Sequence, residues 1–218
     1  MTGDGTSEAS PRRGLGHLDE RRAVILDRDG TLIDVFRDEE SGTISTAFHP
    51  DQIAILPGVL DGLRLLAQEE YLFAIATNQP GPAKGQFSAA AVKRTNDALV
   101  ARLAAEGIAI AQVEACMHHP DGGPGGDASL VGPCACRKPK AGMLETIAGS
   151  LGLGRARTWM VGDSAADVEA GASAGMRTGL VFPKNRCELC PLRGGPGELP
   201  DVHGPNLDAI ARRILAIG

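Results

Sequence analysis

Apolar residues in this chain fall into short unbroken runs, separated by longer stretches with helical spacing. Ala23-Val24-Ile25-Leu26 is the first run. It lacks polar alternation, which predicts a strand buried on both faces in the middle of a parallel sheet. Tyr71–Thr77, Ala111–Met117, Thr158–Asp163 and Arg177–Phe182 predict four more strands. Between them the period changes. Pro57-Gly58 opens a helix to about Glu70, with Val59, Leu60, Leu63, Leu65 and Leu66 mostly at helical spacing. Ser88 is placed to cap a helix to about Glu106, with Val92, Leu99 and Leu103 on one face and Gly107 as its stop. Further helices are expected over Ala141–Leu151, Ala165–Ala174 and Leu207–Ile217. Strand–helix alternation of this kind implies right-handed crossovers. The expected fold is α/β, Rossmann-like and doubly wound: a mostly parallel sheet with helices on both faces.

Three connections are long and irregular: residues 32–53, the glycine-rich stretch 118–137, and 183–205. Connections of such length in a compact unit are functional or disordered. Residues 1–20, rich in Gly, Ser and charge, are expected to be a flexible tail, and 21–218 a single domain. No insertion is long enough for a large cap domain.

Composition narrows the picture. Hydrophobic residues make up 43% and aromatics only 3%, so the core must be built from Ala, Val, Ile and Leu. A net charge of −5 argues against general nucleic-acid binding, which needs a basic face. No run is long enough to span a membrane, and the first twenty residues contain no apolar stretch of a secretory signal. A cytoplasmic, monomeric protein is expected. Its five cysteines, an odd number, favour metal ligation or free thiols over disulfides.

Candidate chemistry gathers at the strand ends. Asp27 and Asp29 close the first, Thr77 and Asn78 the second, and Asp163 the fourth. Each alone could be a turn or helix cap, with Gly30 supplying a positive φ. Their convergence on one sheet edge, where open α/β folds bind ligands, points instead to a common site. Separately, Cys116-Met117-His118 and Cys134-Ala135-Cys136 bracket the glycine-rich connection. Three thiols and one imidazole are the set for a closed tetrahedral zinc, with His119 as a rival ligand and unrelated buried cysteines as the bland reading. Cys187-Glu188-Leu189-Cys190 adds a C-x-x-C that is redox-active, part of an intermolecular metal site, or inert.

With these motifs in order, the chain resembles the haloacid dehalogenase superfamily of phosphohydrolases. Asp27-Arg28-Asp29-Gly30-Thr31, Thr77-Asn78-Gln79, Arg137-Lys138-Pro139 and Val161-Gly162-Asp163 with Asp167 match its four motifs. The resemblance implies that Asp27 is the nucleophile, forming an aspartyl-phosphate, and Asp29 the general acid and base. It implies Mg²⁺ held by Asp27, Asp163 and the Asp29 carbonyl, with phosphate bound by Thr77, Asn78 and Lys138. A zinc-pinned loop over residues 116–136, held by Cys116, His118, Cys134 and Cys136, is similar to that of one subgroup. That subgroup contains D-glycero-D-manno-heptose-1,7-bisphosphate phosphatase and histidinol-phosphate phosphatase. The expected substrate is therefore a small phosphorylated sugar, with a heptose bisphosphate ahead of histidinol phosphate, and Arg137 and Lys84 as cations for a second phosphate. Outside the enzymes, the competing reading is a zinc-stabilised binding module without catalysis. Two features depart from the subgroup near the site: Pro80 where a serine is usual, and Ser45-Thr46-Ala47-Phe48 where a tyrosine-containing patch is expected.

Overall fold

The computed structural model describes residues 21–37, 42, 44–182 and 199–217. The expected tail (1–20) and the Cys187–Cys190 motif lie outside these residues. The sheet strands are β1 (Ala23–Leu26), β4 (Leu72–Asn78), β5 (Ile110–Cys116), β6 (Thr158–Gly162), β7 (Arg177–Val181) and β8 (Val202–Gly204). They lie in the order β5-β4-β1-β6-β7-β8, and every neighbouring pair is parallel. The chain winds from β1 outward through β4 to β5, then returns to the other side of β1 for β6, β7 and β8. The reversal lies between β1 and β6, so a crevice opens at their carboxyl ends.

Alternation along the strands explains why both faces must be covered. Val24 and Leu26 pack with Leu63 and Leu66 of α1 (Val59–Gln68), Leu99 and Leu103 of α2 (Ala89–Ala105), and Ile210 and Ile214 of α5 (Leu207–Ile217). Ala23 and Ile25 point the other way. They pack with Met143, Leu144 and Ile147 of α3 (Gly142–Leu151) and Ala170 of α4 (Ala165–Ser173). Each fully buried Leu or Ile contributes about 1.5–3 kcal/mol relative to an exposed one. Neither face could be left to water. Ser88 caps α2 as its position predicts, its Oγ accepting from the Ala91 N–H at 3.1 Å.

Two stretches differ from the sequence reading. The connection after β1 is not wholly irregular: β2 (Phe36–Arg37) pairs antiparallel with β3 (Ile44–Ser45) in a small separate ribbon. Strands of two residues carry no readable alternation. Similarly, β8 falls inside the segment expected to be irregular. Val202 and Gly204 are buried against β7 while His203 is exposed, and Asp201 accepts from the Thr178 N–H at 2.7 Å to start the pairing. This strand exists because β7 offers it a ladder, not because its own residues demand one.

Candidate active site

The carboxyl ends of β1, β4 and β6 carry the polar residues singled out by sequence. The Asp27 N–H donates to the Val161 carbonyl at 2.8 Å, so the β1–β6 ladder runs into the site and fixes the Asp27 backbone beside Asp163. Gly30, with φ +83°, turns the chain directly under Asp163; any Cβ there would collide with that carboxylate. A Cβ on Gly162 would likewise collide with the Asp167 carboxylate, so the acids close in only because these two positions lack side chains.

Lys138 joins the strands. Its Nζ donates to Asp27 Oδ1 at 2.7 Å, to Asp167 Oδ1 at 2.5 Å and to the Ala76 carbonyl at 2.7 Å. The side chain is only 3% exposed, so an unpaired ammonium there would carry a large desolvation penalty. Burial by itself favours the neutral amine, but the Asp167 and Asp27 carboxylates hold Lys138 above the ordinary lysine range. Asn78 places it: the Asn78 Nδ2 donates to the Lys138 carbonyl at 3.0 Å, and the Lys138 N–H donates to Asn78 Oδ1 at 3.1 Å. Asn78, expected to touch phosphate, thus commits its side chain to holding the lysine backbone.

The acids outnumber the lysine. One oxygen each of Asp27, Asp163 and Asp167 lies within 4.8 Å of the others. Burial pushes the Asp27 carboxyl up to about 7; Lys138 works against the rise, while Asp167, Asp163 and Asp29 add to it. Such a cluster calls for a further cation, and its all-oxygen donors suit a hard divalent ion. Asp167 is already committed: Lys138 takes Oδ1, and the Ser164 N–H and hydroxyl donate to Oδ2 at 3.1 and 2.6 Å. Asp27, Asp163 and Asp167 together form the group of acids that could face an ion.

Asp29 sits in a second network that the sequence reading did not assign. Arg28, fully buried, donates from Nε to Asp29 Oδ2 at 3.0 Å and from Nη2 to Oδ1 at 3.2 Å. Nη1 donates to Asn96 Oδ1 at 2.6 Å, and the same Nη2 is shared with Thr46 Oγ1 at 2.5 Å and the Ala47 carbonyl at 2.8 Å. The Gln79 Nε2 donates to Asp29 Oδ2 at 2.7 Å and to Thr77 Oγ1 at 2.9 Å, and Thr46 Oγ1 donates to Gln79 Oε1 at 3.0 Å. Thr46-Ala47, the patch noted as unusual, therefore docks directly on the acid. Arg28 and Gln79 stand inside recognised motifs, but burial and bonding of this kind require the fold to be visible.

The sulfur cluster forms as its spacing predicts. Cys116 Sγ lies 3.7 Å from Cys134 Sγ and 3.0 Å from Cys136 Sγ, and His118 Nδ1 is 3.8 and 3.4 Å from Cys116 and Cys136. Zinc–sulfur bonds of about 2.3 Å in a tetrahedron put neighbouring sulfurs about 3.8 Å apart; Cys116 and Cys134 stand at that separation, Cys136 lies closer to Cys116, and the donor set of three thiols and one imidazole is one that zinc takes. The rival His119 is occupied elsewhere, its Nδ1 accepting from the Asp121 and Gly122 N–H groups at 3.2 Å. Arg137, next to Lys138, donates to the His118 carbonyl at 3.4 Å and is half-buried. Lys84 is half-buried in the loop after β4, where the glycine-rich segment packs against it: a Cβ on Gly123 would meet Lys84 backbone.

Comparison with known proteins agrees with this geometry. The HAD-hydrolase-like family model matches residues 135–182, from the second half of the sulfur cluster through the end of β7. The D-glycero-beta-D-manno-heptose-1,7-bisphosphate 7-phosphatase of Pseudomonas putida is 34% identical over 160 residues, covering 73% of this chain and 82% of that protein. Its namesake from Bordetella bronchiseptica is 36% identical over 164 residues, covering 75% and 82%. The crystal structure of the D,D-heptose 1,7-bisphosphate phosphatase from B. bronchiseptica, complexed with magnesium and phosphate, superposes with a TM-score of 0.71 at 31% identity. That match covers 90% of this chain and 99% of the other. Sequence identity above 30% over most of both chains and a shared fold have one explanation: the chain belongs to the haloacid dehalogenase-like hydrolase family.

Proposed function

We propose that this protein is a Mg²⁺-dependent phosphomonoester hydrolase that removes a phosphate from D-glycero-D-manno-heptose 1,7-bisphosphate or a related sugar phosphate. The observation that carries the reading is Lys138 buried between Asp27 and Asp167, with Asp163 alongside, at the sheet's switch point. A phosphate monoester brings two negative charges, and its hydrolysis depends on charge neutralisation and in-line placement. Asp27, fixed by the β1–β6 ladder, supplies the attacking carboxylate oxygen and carries the phosphoryl group as an aspartyl-phosphate. Asp29, held by Arg28 and Gln79, gives a proton to the departing alkoxide and then takes one from the water that releases phosphate. Lys138 and the Thr77 hydroxyl offset charge on the phosphoryl oxygens. Mg²⁺ held by Asp27, Asp163 and the Asp29 carbonyl would supply the charge that lets two anions meet.

Zinc held by Cys116, His118, Cys134 and Cys136 has a supporting role in this reading. Cys136 is followed directly by Arg137 and Lys138, so a metal fixing the thiolate also fixes the lysine's approach. Arg137 and Lys84 are the cations assigned to the sugar's second phosphate. The family relatives named for heptose bisphosphate support the substrate class, and a monomeric, cytoplasmic enzyme is the setting the sequence favours. The test is phosphate release with Mg²⁺ from both anomers of heptose 1,7-bisphosphate, other sugar bisphosphates and histidinol phosphate. Release from the heptose at least tenfold faster than from the others is the expected result. Preference for histidinol phosphate would overturn the substrate, and release from none would overturn the activity.

A further inference from the structure

Of the chain's five phenylalanines, three meet where the connection after β1 crosses the loop after β4. The Phe48 and Phe87 rings stack, with centroids 5.1 Å apart and planes 13° from parallel. Phe36 of β2 packs against Phe48 at 6.1 Å and 81°, an edge-on contact. Near-parallel and edge-on pairs at about 4.5–7 Å are the arrangements that aromatic quadrupoles favour. Phe87 also rests against the chain that follows Gln79: a Cβ on the buried Gly81 would collide with its ring. All three rings are half-buried and stand apart from the two-sided core.

The two segments joined by the stack also hold Asp29. Phe48 directly follows Thr46-Ala47, and Gly81 lies two residues after Gln79. The Ala47 N–H donates to Asp29 Oδ1 at 3.4 Å, and Gln79 Nε2 donates to Asp29 Oδ2 at 2.7 Å. Between the segments runs the bond from Thr46 Oγ1 to Gln79 Oε1 at 3.0 Å. One neutral hydrogen bond nets little against exchange with water. The ribbon of β2 and β3 adds little either, because its strands are two residues long. Stacked rings supply a contact that water cannot replace. Slack in Thr46-Ala47 would reach the acid through Arg28, whose Nη2 serves Thr46 Oγ1, the Ala47 carbonyl and Asp29 Oδ1 together.

We propose that the Phe48–Phe87 stack, braced by Phe36, positions Asp29: it latches the connection after β1 to the loop after β4 and keeps the carboxyl aimed at the departing oxygen. The three phenylalanines are positioning residues, since they act through Thr46, Ala47 and Gln79. The inference rests on the reading of Asp29 as general acid. In that step the Asp29 O–H bond breaks, its proton goes to the leaving oxygen, and the electrons of the broken P–O bond stay on that oxygen.

The test compares two esters by kcat/KM, which reports the steps up to departure of the leaving group. Heptose 1,7-bisphosphate releases a sugar alkoxide that needs the Asp29 proton; 4-nitrophenyl phosphate releases a phenolate that leaves without one. In Phe48→Ala and in Phe87→Ala, kcat/KM should fall about tenfold for the heptose and no more than about twofold for the nitrophenyl ester. Phe87→Tyr keeps the ring and should restore the wild-type ratio. Gly81→Ala keeps both rings but displaces Phe87, and should reproduce the loss; added to Phe87→Ala it should cost nothing more. An equal fall for both esters overturns the proposal, as does no fall for the heptose in the Phe48→Ala, Phe87→Ala double variant. Amide exchange reads the latch without turnover: residues 46–48 should exchange at least about tenfold faster in Phe87→Ala while β1 stays protected. Unchanged exchange there overturns the latch. Release of phosphate from neither ester by the wild type would overturn the hydrolase reading instead, and exchange alone would then decide the latch.

Discussion

The carboxylate–lysine cluster and the sulfur cluster meet at Cys136-Arg137-Lys138, yet they are held by different physics. The acids sit on β1, β6 and α4, and Lys138 is bound from three directions by Asp27, Asp167 and the Ala76 carbonyl. Their positions are fixed by ladder hydrogen bonds and a two-sided core. The sulfur cluster spans a glycine-rich excursion whose own support is thin: a bridge between His119 and Val131, a turn capped by Asp127, and packing on the loop after β4. Burial pushes the Cys116 thiol up, which disfavours the thiolate until a cation is bound. One region is organised by the sheet, and the other offers a donor set that a metal could tie together. In the proposed reading the fold assembles the acids, and a removable ion would refine the placement of the lysine.

The strongest way to break the comparison is Asp27→Asn. Turnover should fall by at least about a thousandfold while circular dichroism stays that of the wild type, because the change removes the proposed nucleophile and keeps the shape. Surviving activity would end the proposed mechanism. Lys138→Met comes next. It strands two buried carboxylates and should cost about 3–5 kcal/mol of unfolding free energy in urea, alongside lost activity. A loss under 1 kcal/mol would mean that the sheet alone tolerates the acids.

Cys134→Ser, or stripping of zinc, probes the other region. Faster amide exchange is expected over residues 116–136, with β1 and β6 still protected, and activity reduced about 10–100-fold. Equal loosening of both regions would erase the distinction. Arg28→Met should lower kcat by about tenfold, since it removes the buried partner that positions the carboxyl of Asp29. A change in KM alone would make Arg28 a merely structural support.

A separate effect is expected on stability against pH without Mg²⁺. With its carboxyl pushed up to about 7 in the folded state, against 3.8 for an unperturbed aspartate, Asp27 binds a proton more tightly when folded. Its contribution is therefore full at low pH and is lost as pH rises from about 4 through 7. Melting temperatures of wild type and Asp27→Asn should diverge across that window, with the wild type falling relative to the variant. Added Mg²⁺ should reduce the divergence, because the ion favours the charged carboxylate.

Much of this molecule was legible as text. Unbroken runs such as Ala23–Leu26 can satisfy their apolar faces only in the middle of a covered sheet, and five strands and five helices stand where the periodicity puts them. The acids at the strand ends and the C-x-H and C-x-C pairs are local signals, written in residue type and spacing. What tertiary structure decided is of another kind. Local sequence does not say that Arg28 turns inward to hold Asp29, that Gln79 bridges Thr77 to it, or that Asn78 serves the lysine backbone. Nor does it say that Val202–Gly204 completes the sheet, or that Phe48 and Phe87 meet in a stack. Each of these depends on residues far apart in the chain meeting across the sheet, where burial turns an ordinary polar side chain into one that must find a partner.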